Sequence, residues 1–399
     1  MMTDKKENTL KSLLEILIVS TRLGFTSFGG PIAHLGYFHE EYIRRRKWMD
    51  EKSYADLVAL CQFLPGPASS QVGIGIGVMR AGVLGGIVSF LGFTLPSVIA
   101  LIIFALLLHN FGLTDAGWIH GLKIVAVVVV AHAILGMAKN LTPDIKRKTI
   151  ALFAVVMTLL WQTAFTQVGI ILLAGFVGFL IYKHHTLDEK SDDVHVHFPI
   201  SHRFAVICLT LFFGLLIALP LLREATNLHW LAMFDSFYRS GSLVFGGGHV
   251  VLPLLEREFV PTGWLSEEEF LAGYGAAQAV PGPLFTFAAY IGAVINGWQG
   301  GLLATVAIFL PAFLLILGTL PFWNSLRRNP KIKGALMGVN AAVVGILIAA
   351  LYHPIWTSSI LSAIDFAFAA VLFSMLVFWK LPPWVIVVAG AFGGFLLSL

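Results

Sequence analysis

Two arginines stand in apolar stretches of this 399-residue chain, where a charged side chain needs a chemical reason. Arg22 and Arg239 each lie six residues before a Phe-Gly-Gly sequence. A lone charge inside a membrane span costs at least about 2.5 kcal/mol, and a guanidinium stays protonated there. Its planar fork binds oxyanions through paired hydrogen bonds. The two positions therefore predict an anionic substrate. A structural ion pair with Glu15 or Asp235, or snorkelling to the interface, is the alternative.

Two Pro-Gly-Pro sequences, at 65–67 and 281–283, predict a second anion site. Proline suits the first position of a helix, and glycine permits the sharp turn before it. The free amides of the new helix would then point at the gap and could hold an anion near mid-membrane. A proline kink that only shapes packing is the alternative. The residues predicted to bind substrate here are Gln62, Gly66, Pro67, Ser69, Gln278, Gly282, Pro283 and Thr286.

The glycines that follow the arginines form a third candidate site. Gly29 and Gly30 end the first apolar stretch, and Gly246 and Gly247 end its counterpart. Glycine there can cap a helix and let a ligand approach the backbone, while helix packing through small residues is the alternative. The connections that follow contain side chains that could carry a coupling proton or serve structural roles. These candidates are His34, Glu41, His249 and Glu258.

Composition identifies the class of protein that must position these residues. Hydrophobic residues make up 57% of the chain and charged residues 12%, with a mean hydropathy of +0.84. Because soluble domains carry about a quarter charged residues, a soluble enzyme is excluded and an all-α polytopic membrane protein is predicted. The net charge of +4 implies no nucleic-acid partner. The two cysteines and the histidine-rich segment show no metal-ligand spacing, so neither a metal nor another cofactor is expected.

One unit occurs twice in the chain. The sequence Arg-x-Gly-x-x-x-Phe-Gly-Gly begins at Arg22 and again at Arg239, and each copy continues with a glutamate, a tryptophan and Gln-x-x-Pro-Gly-Pro. Such internal repeats are typical of secondary transporters. We divide the chain into a first transporter repeat at 1–182, a polar linker with an extra apolar span at 183–222, and a second repeat at 223–399.

Thirteen apolar segments give about thirteen predicted transmembrane crossings. The stretches 53–79 and 270–297 are each counted as one crossing, made by a helix that is broken at Pro-Gly-Pro. Seven crossings then separate Arg22 from Arg239, so the two copies face opposite sides of the membrane. The sequence therefore predicts two homologous helical repeats in inverted orientation.

The basic residues test this arrangement through the positive-inside rule. The loops at 146–148 and 327–333 fall on one side, which the rule assigns to the cytoplasm. The basic run at 44–47 falls on the opposite side and disagrees with the rule. If the two Pro-Gly-Pro stretches were re-entrant hairpins, that run would move inside and the repeats would be parallel, but the loop at 327–333 would move outside.

At these residues the chain resembles the chromate ion transporter family in its long, two-domain form. The resemblance covers nearly the whole chain apart from the extreme N-terminus and the segment 183–202. The second copy lacks the basic run that the first copy carries. The sequences that look like family markers are Phe-Gly-Gly-Pro-x-Ala-His at 28–34, Trp48, Phe-Gly-Gly-Gly-His at 245–249, and the Pro-Gly-Pro sequences at 65–67 and 281–283.

The resemblance implies a secondary transporter that exports chromate across the bacterial inner membrane, confers chromate resistance and accepts sulfate as a competitor. Export would be driven by the membrane potential or the proton motive force, since moving a dianion out of a negative-inside cell releases roughly 4.6 kcal/mol per 100 mV. Sulfate or other oxyanion uptake or exchange, and a passive anion channel, are the alternatives. An enzyme has no support, because no hydrolase motif is present. The expected partners are chromate, sulfate and the lipid bilayer; a homodimer is compatible with the sequence, which indicates no interface for one.

Overall fold

The computed structural model describes residues 2–28, 30–111, 117–161, 163–182, 200–323 and 330–397, and within these ranges helices are the only regular structure. Five helical stretches are long and apolar enough to cross a membrane, as expected for a polytopic membrane protein. The helices are α1 Met2–Thr26, α2 Gly30–Phe38, α3 Glu51–Phe63, α4 Ala68–Phe111, α5 Gly117–Leu141, α6 Ile145–Leu160, α7 Ala164–Tyr182, α8 His202–Ala225, α9 His229–Ser242, α10 Val251–Phe259, α11 Glu267–Ala277, α12 Phe287–Thr319, α13 Pro330–Ala350, α14 Ala363–Val377 and α15 Pro383–Leu397.

The long helix α4 consists of two antiparallel arms. Gly82 interrupts it with a φ of +67°, a conformation that glycine adopts readily. Beyond this turn the chain runs back along its own first arm. A 2.8 Å hydrogen bond that Ser89 Oγ donates to the carbonyl of Gly73 shows this reversal. The first arm, 68–80, therefore packs beside the second arm, 83–111, and only the second arm is long enough to cross a bilayer.

The helix α12 reverses in the same way. Gly297 has a φ of +58°, and a Cβ placed on Gly292 would lie 2.3 Å from the carbonyl oxygen of Gly300. Only glycine permits the two backbones to approach so closely. The first arm of α12 covers 287–295 and its second arm covers 298–319.

Each Pro-Gly-Pro sequence forms the tip of a helical hairpin. In the first repeat a Cβ on Gly75 would lie 2.7 Å from Cδ1 of Leu57, so the first arm of α4 folds back along α3. In the second repeat the hydroxyl of Tyr290 donates a 2.9 Å hydrogen bond to the carbonyl of Glu269, so α12 folds back along α11. Each stretch therefore folds back on itself instead of running on as one broken helix, and the number of times that it crosses the membrane stays a prediction. The sequence signals of a broken helix and of a helical hairpin are the same, and contacts between the arms decide between them.

The first helix of each repeat also belongs to a hairpin. After α2 and a wider helical turn at His39–Arg45, Arg46 Nη1 lies 2.9 Å from the Glu15 carboxylate of α1. In the second repeat Arg239 of α9 lies 2.9 Å from Glu258 of α10. Each repeat therefore begins with two successive hairpins before its first long arm.

The second arms of α4 and α12 lie side by side and run in opposite directions. The rings of Phe90 and Phe309 are 5.0 Å apart, whereas Ile102, further along α4, meets Gly301, which is earlier in α12. The second arm of α4 also carries an exposed apolar stripe that runs from Leu84 to Leu107. This stripe is about 35 Å long, which matches the apolar thickness of a bilayer.

Glycines allow the same close packing in both repeats. A Cβ on Gly24 of α1 would lie 2.7 Å from the carbonyl oxygen of Gly92, and one on Gly241 of α9 would lie 2.3 Å from that of Ile308. The first helix of each repeat is thus held against the second arm of the long helix. Larger residues would separate these backbones and displace the hairpin tips described below.

Polar caps begin several helices where the sequence places Asp or Ser before an apolar run. Asp50 caps α3, and Ser266 forms a capping box with Glu269 at the start of α11. Asp365, which the hydropathy pattern places inside a span, instead completes a capping box at the start of α14 and lies 2.8 Å from His120. Its charge is therefore satisfied at a helix end.

Candidate functional site

The two Pro-Gly-Pro tips meet the other repeat through a reciprocal pair of hydrogen bonds. The amide of Gly66 donates to the carbonyl of Val244, just after α9, over 2.8 Å. The amide of Gly282 donates to the carbonyl of Ser27, just after α1, over 2.9 Å. We call these four residues the central junction. Each hairpin tip therefore binds the end of the first helix of the opposite repeat.

The central junction packs against the second arms of α4 and α12. A Cβ on Gly282 would lie 2.9 Å from Ser97 Oγ, and Ser97 stands near the midpoint of the exposed stripe of α4. Gly66 lies in the same way against Ala312 of α12, 3.3 Å from its Cβ. Each tip thus packs against the second arm of the long helix of the opposite repeat.

Backbone conformation explains why glycine occupies the two tips. Gly66 has a φ of +113° and Gly282 a φ of +96°, a region that costs other residues roughly 1–2 kcal/mol. The close neighbours of both positions leave little room for a side chain. The predicted glycine requirement therefore has a geometric basis at both positions.

Each tip is followed by the start of a helix. The chain leaves Pro67 into α4, and it leaves Pro283 through a short turn at Leu284–Thr286 into α12. Pro283 provides no side-chain cap, while the Thr286 hydroxyl donates to the carbonyl of Pro283 over 2.7 Å. Ser69 Oγ lies 3.3 Å from His34 Nδ1. The amides of Gln71 and Thr286 donate to the carbonyls of Pro67 and Pro283, so the amides that precede them in each first turn are the ones without a partner inside the helix.

Buried polar atoms without partners surround the junction. A buried donor or acceptor that lacks a partner costs about 1–3 kcal/mol, so such a group of atoms indicates a place for water or a ligand. Among the described residues, those near the junction and its hairpins are Ser27 Oγ, His34 Nε2, Ser70 Oγ, Gln71 Oε1, Thr94 Oγ1 and Gln278 Nε2.

The two glutamines predicted to be equivalent have different surroundings. Gln62 is exposed on α3, whereas Gln278 is partly buried with an unpartnered Nε2. The tip of the first repeat is instead supported by Gln71, whose Nε2 donates to the carbonyl of Pro65 over 2.9 Å. Gln71 was not predicted as a site residue, because the corresponding position in the second repeat is Phe287. The position of Gln71 four residues after Pro67, in the first turn of the new helix, is the signal that could have found it.

The glycine pairs after the first helices also differ from each other. Gly29 lies outside the described residues. Gly30 has a φ of +81° and open space around its Cβ, so glycine is needed there for backbone conformation. Gly246 and Gly247 also have positive φ, and a Cβ on Gly246 would lie 3.2 Å from Leu141 of α5. Close helix packing thus accounts for Gly246 without a ligand.

Arg22 lines an open pocket of about 520 Å³, formed by α1, the turn after α2, and the end of the first arm of α4. Its side chain is exposed and makes no hydrogen bond or ion pair with any residue that the structure describes. We call this the Arg22 pocket. Its lining residues are Glu15, Arg22, Glu41, Arg45, Arg46, Trp48 and Arg80.

The other arginines of the Arg22 pocket are held in place. Glu15 binds Arg46 and Arg80, each over 2.9 Å, and Glu41 binds Arg46 over 2.9 Å. The guanidinium carbons of Arg80 and Arg46 lie 4.9 and 5.8 Å from the ring centre of Trp48. Cation–π contacts of this kind orient arginine side chains. In the sequence Trp48 stands out only as a family marker, and neither Arg46 nor Arg80 was predicted as a site residue.

Arg239 has the opposite environment. It lies 3.0 Å from Asp235 and 2.9 Å from Glu258, and Arg223 lies 3.3 Å from Asp235. Asp235 is completely buried. We call these four residues the Arg239 cluster. The structure thus keeps Arg22 and Arg239 in separate places, and for Arg239 it shows the ion pair that was the alternative to substrate binding.

The four candidates for proton coupling lie in different places, the two histidines near the hairpin tips and the two glutamates in the Arg22 pocket and the Arg239 cluster. His34 lies beside Ser69, and Nδ1 of His249 is 2.8 Å from the hydroxyl of Tyr274. Glu41 and Glu258 instead hold arginines at the charged groups. No set of three or more metal-ligating side chains occurs within the described residues.

Comparisons with known proteins agree with this architecture. The family model described as "Chromate transporter" matches residues 14–179 and 231–395. A probable chromate transport protein of Synechococcus elongatus is 29% identical over 86% of this chain and 84% of its own. The chromate transport protein of Pseudomonas aeruginosa is 28% identical over 82% and 77%, and an uncharacterized transporter of Methanocaldococcus jannaschii is 28% identical over 87% and 85%.

No solved structure matches the chain. The family model nevertheless covers most of the sequence in two separate regions, one before and one after the extra helix α8. The predicted resemblance is therefore confirmed, and the chain belongs to the chromate transporter family.

Proposed function

We propose that this chain is a secondary transporter that exports chromate across the bacterial inner membrane and thereby confers chromate resistance. The observation that carries the proposal is the central junction, where two helix starts and several unpartnered polar atoms meet between the two repeats. Broken helices whose amino ends meet at the membrane midplane are typical of substrate sites in secondary transporters. The relatives named as chromate transport proteins support chromate as the substrate.

The junction would hold the oxyanion mainly through backbone amides. The first turns after Pro67 and Pro283 offer N–H groups at the positive ends of two helix dipoles, which favour an anion. Ser69, Ser70 and His34 line the first of these starts. Because the amides cannot be deprotonated and carry no full charge, they would bind a dianion without trapping it permanently.

We infer that the two repeats are inverted in the membrane and that the chain crosses it nine times, four fewer than the sequence predicts. Each of four hairpins would enter and leave the membrane on the same side and so would make no crossing. These hairpins are α1–α2 and α3 with the first arm of α4 in the first repeat, and α9–α10 and α11 with the first arm of α12 in the second repeat. The second arms of α4 and α12 and helices α5, α6, α7, α8, α13, α14 and α15 would cross. Local thinning of the bilayer accommodates the shortest of these.

Contacts between helix ends support this topology. Asp144, before α6, accepts a 3.1 Å hydrogen bond from Tyr182 at the end of α7, which is expected if both lie on one face. His120, near the start of α5, contacts Asp365 at the start of α14, which is expected for the other face. Four crossings in the first repeat and one by α8 bring the second repeat in from the opposite side.

The same topology removes the conflict with the positive-inside rule. The basic run at 44–47, Lys146–Lys148, and the basic residues around Lys331 and Lys333 would all face one side, which the rule assigns to the cytoplasm. The sequence analysis tested hairpins only at the Pro-Gly-Pro stretches. If the hairpins α1–α2 and α9–α10 also return to the side from which they entered, each of these basic clusters faces the cytoplasm and the repeats stay inverted.

Export is the direction that the membrane potential favours, since outward movement of a dianion releases roughly 4.6 kcal/mol per 100 mV. The test is uptake of radiolabelled chromate into everted membrane vesicles, with the potential and the pH gradient collapsed separately. We expect saturable uptake that disappears when the interior-positive potential is collapsed. Vesicles from cells without the gene are the control, and uptake no greater than theirs would refute chromate transport.

A further inference from the structure

We propose that the Arg22 pocket binds small tetrahedral oxyanions at the entrance of the transporter, before they reach the central junction. The proposal deepens the export function above and rests on its membrane orientation, which puts this pocket on the cytoplasmic side. The pocket is open, lies at the end of two hairpins, and is lined by four arginines. It is therefore accessible to an ion arriving from the cytoplasm.

Charge is the first argument for this site. Four arginines and two glutamates line the pocket, which leaves an excess of two positive charges. Arg44 and Glu40, which lie just outside and form an ion pair, do not change the excess. A dianion would neutralise the pocket, because its two negative charges equal this excess.

The second argument is that Arg22 has no side-chain partner among the residues that the structure describes, whereas its neighbours in the pocket do. Arg46 and Arg80 are fixed by Glu15, and Trp48 lies against both guanidinium groups. These contacts orient the positive charges before a ligand arrives, which lowers the entropy cost of binding. Arg22 remains available to form the paired hydrogen bonds that a guanidinium makes with an oxyanion.

The third argument comes from the Arg239 cluster, which serves as an internal comparison. There the equivalent arginine is bonded to Asp235 and Glu258, and the two arginines and two acids of the cluster sum to zero charge. Position 18, which corresponds to Asp235, is isoleucine in the first repeat. With isoleucine at this position, and with Glu41, the counterpart of Glu258, bonded to Arg46, Arg22 is left without an acidic partner among the described residues.

The occupant could be a free oxyanion or the phosphate of a lipid headgroup, since both present tetrahedral oxygens. The excess charge favours the free ion, because a phosphodiester such as that of phosphatidylglycerol carries one negative charge and chromate or sulfate carries two. Sulfate is the suitable probe, since it has the charge and shape of chromate without being a strong oxidant.

The test is equilibrium binding of radiolabelled sulfate to the purified full chain in nanodiscs of phosphatidylcholine. We expect Arg22→Ala to weaken binding at least tenfold and Arg22→Lys to restore part of it, because lysine keeps the charge without the fork. Arg44→Ala is the matched control, an exposed arginine of the same run outside the pocket lining, and should change binding less than twofold. Equal effects of the two alanine variants, or none from Arg22→Ala, would overturn the proposal.

A second set of nanodiscs containing phosphatidylglycerol separates the two sources. Unchanged sulfate binding supports the free oxyanion, whereas loss of sulfate binding together with retention of phosphatidylglycerol by the purified chain would assign the pocket to a lipid and overturn the proposal. Failure of the proposed function is distinguishable, since a chain that binds sulfate through Arg22 but transports no chromate refutes the substrate and not the pocket. Conversely, chromate transport with Arg22-independent sulfate binding refutes the pocket alone.

Discussion

The Arg22 pocket and the Arg239 cluster occupy corresponding places in the two repeats, yet they have opposite electrostatics. In the first repeat the arginine is exposed, lies beside three other arginines and has no side-chain partner within the described part of the chain. In the second repeat it is shared between two carboxylates, one of which is completely buried. A duplicated motif has therefore kept its backbone geometry while its charges have diverged.

The contrast shows which features of a repeat are constrained by folding. The central junction is reciprocal, because each hairpin tip depends on the end of a helix from the other repeat. The two charged groups touch only their own repeat, so a substitution such as isoleucine for aspartate at position 18 changes one of them alone. Under the proposed topology this divergence gives the transporter two different faces.

The largest expected effect concerns the orientation of the two faces. The starting chain has Cys61 and Cys208 replaced by alanine. In it, Arg44→Cys should react with a membrane-impermeant maleimide in everted vesicles, and Thr262→Cys should react in right-side-out vesicles. Both positions are exposed, and the inverted topology puts one on each side. Reaction of both positions from the same side would exclude inverted repeats.

Substitution at the hairpin tips should abolish transport equally in both repeats. Gly66→Val and Gly282→Val force a β-branched side chain into a positive φ beside close neighbours, so we expect at least a tenfold loss of chromate uptake in everted vesicles. Gly82→Ala is the control, since its φ is also positive but no atom lies within 4 Å of its Cβ. Normal transport by either valine variant would show that the tips serve only packing.

Removal of the two arginines should change the stability of the protein in one case only. Arg239→Ala leaves the buried Asp235 with Arg223 alone, and breaking a buried ion pair costs up to about 3–5 kcal/mol. We therefore expect a clearly lower melting temperature for purified Arg239→Ala in detergent, and an unchanged one for Arg22→Ala. If both variants melted alike, the difference in pairing between the repeats would have no energetic meaning.

The smallest effect comes from making the first repeat resemble the second. Ile18→Asp should place a carboxylate four residues before Arg22, as Asp235 stands before Arg239, and remove one excess charge from the pocket. We expect sulfate binding to weaken about fivefold, which corresponds to about 1 kcal/mol. Ile18→Asn is the control of similar size without charge. Equal binding by both variants would contradict a role for the unpaired charge.

The sequence was sufficient for the helical class, the family and the positions of the tips, because composition and repeated Pro-Gly-Pro motifs report these directly. It was insufficient for the path of the chain. Hydropathy cannot distinguish one broken crossing from two antiparallel arms, and only contacts such as Leu57 with Gly75 reveal the return. Asp235 could be named as a partner of Arg239, because it lies four residues earlier on the same helix, whereas the second partner, Glu258, lies on another helix and only the fold brings it near.

The short arms of the hairpins have a consequence for biosynthesis. An arm such as 68–80 measures about 20 Å as a helix, too short to cross the apolar core of a bilayer by itself. Under the proposed topology such segments would not be recognised as separate spans during insertion from the ribosome, and α3 would enter together with α4 once the second arm of α4 is available to pack against. The hairpin of α11 with the first arm of α12 would likewise wait for α12, so the central junction would be assembled only after more than three quarters of the chain has been made.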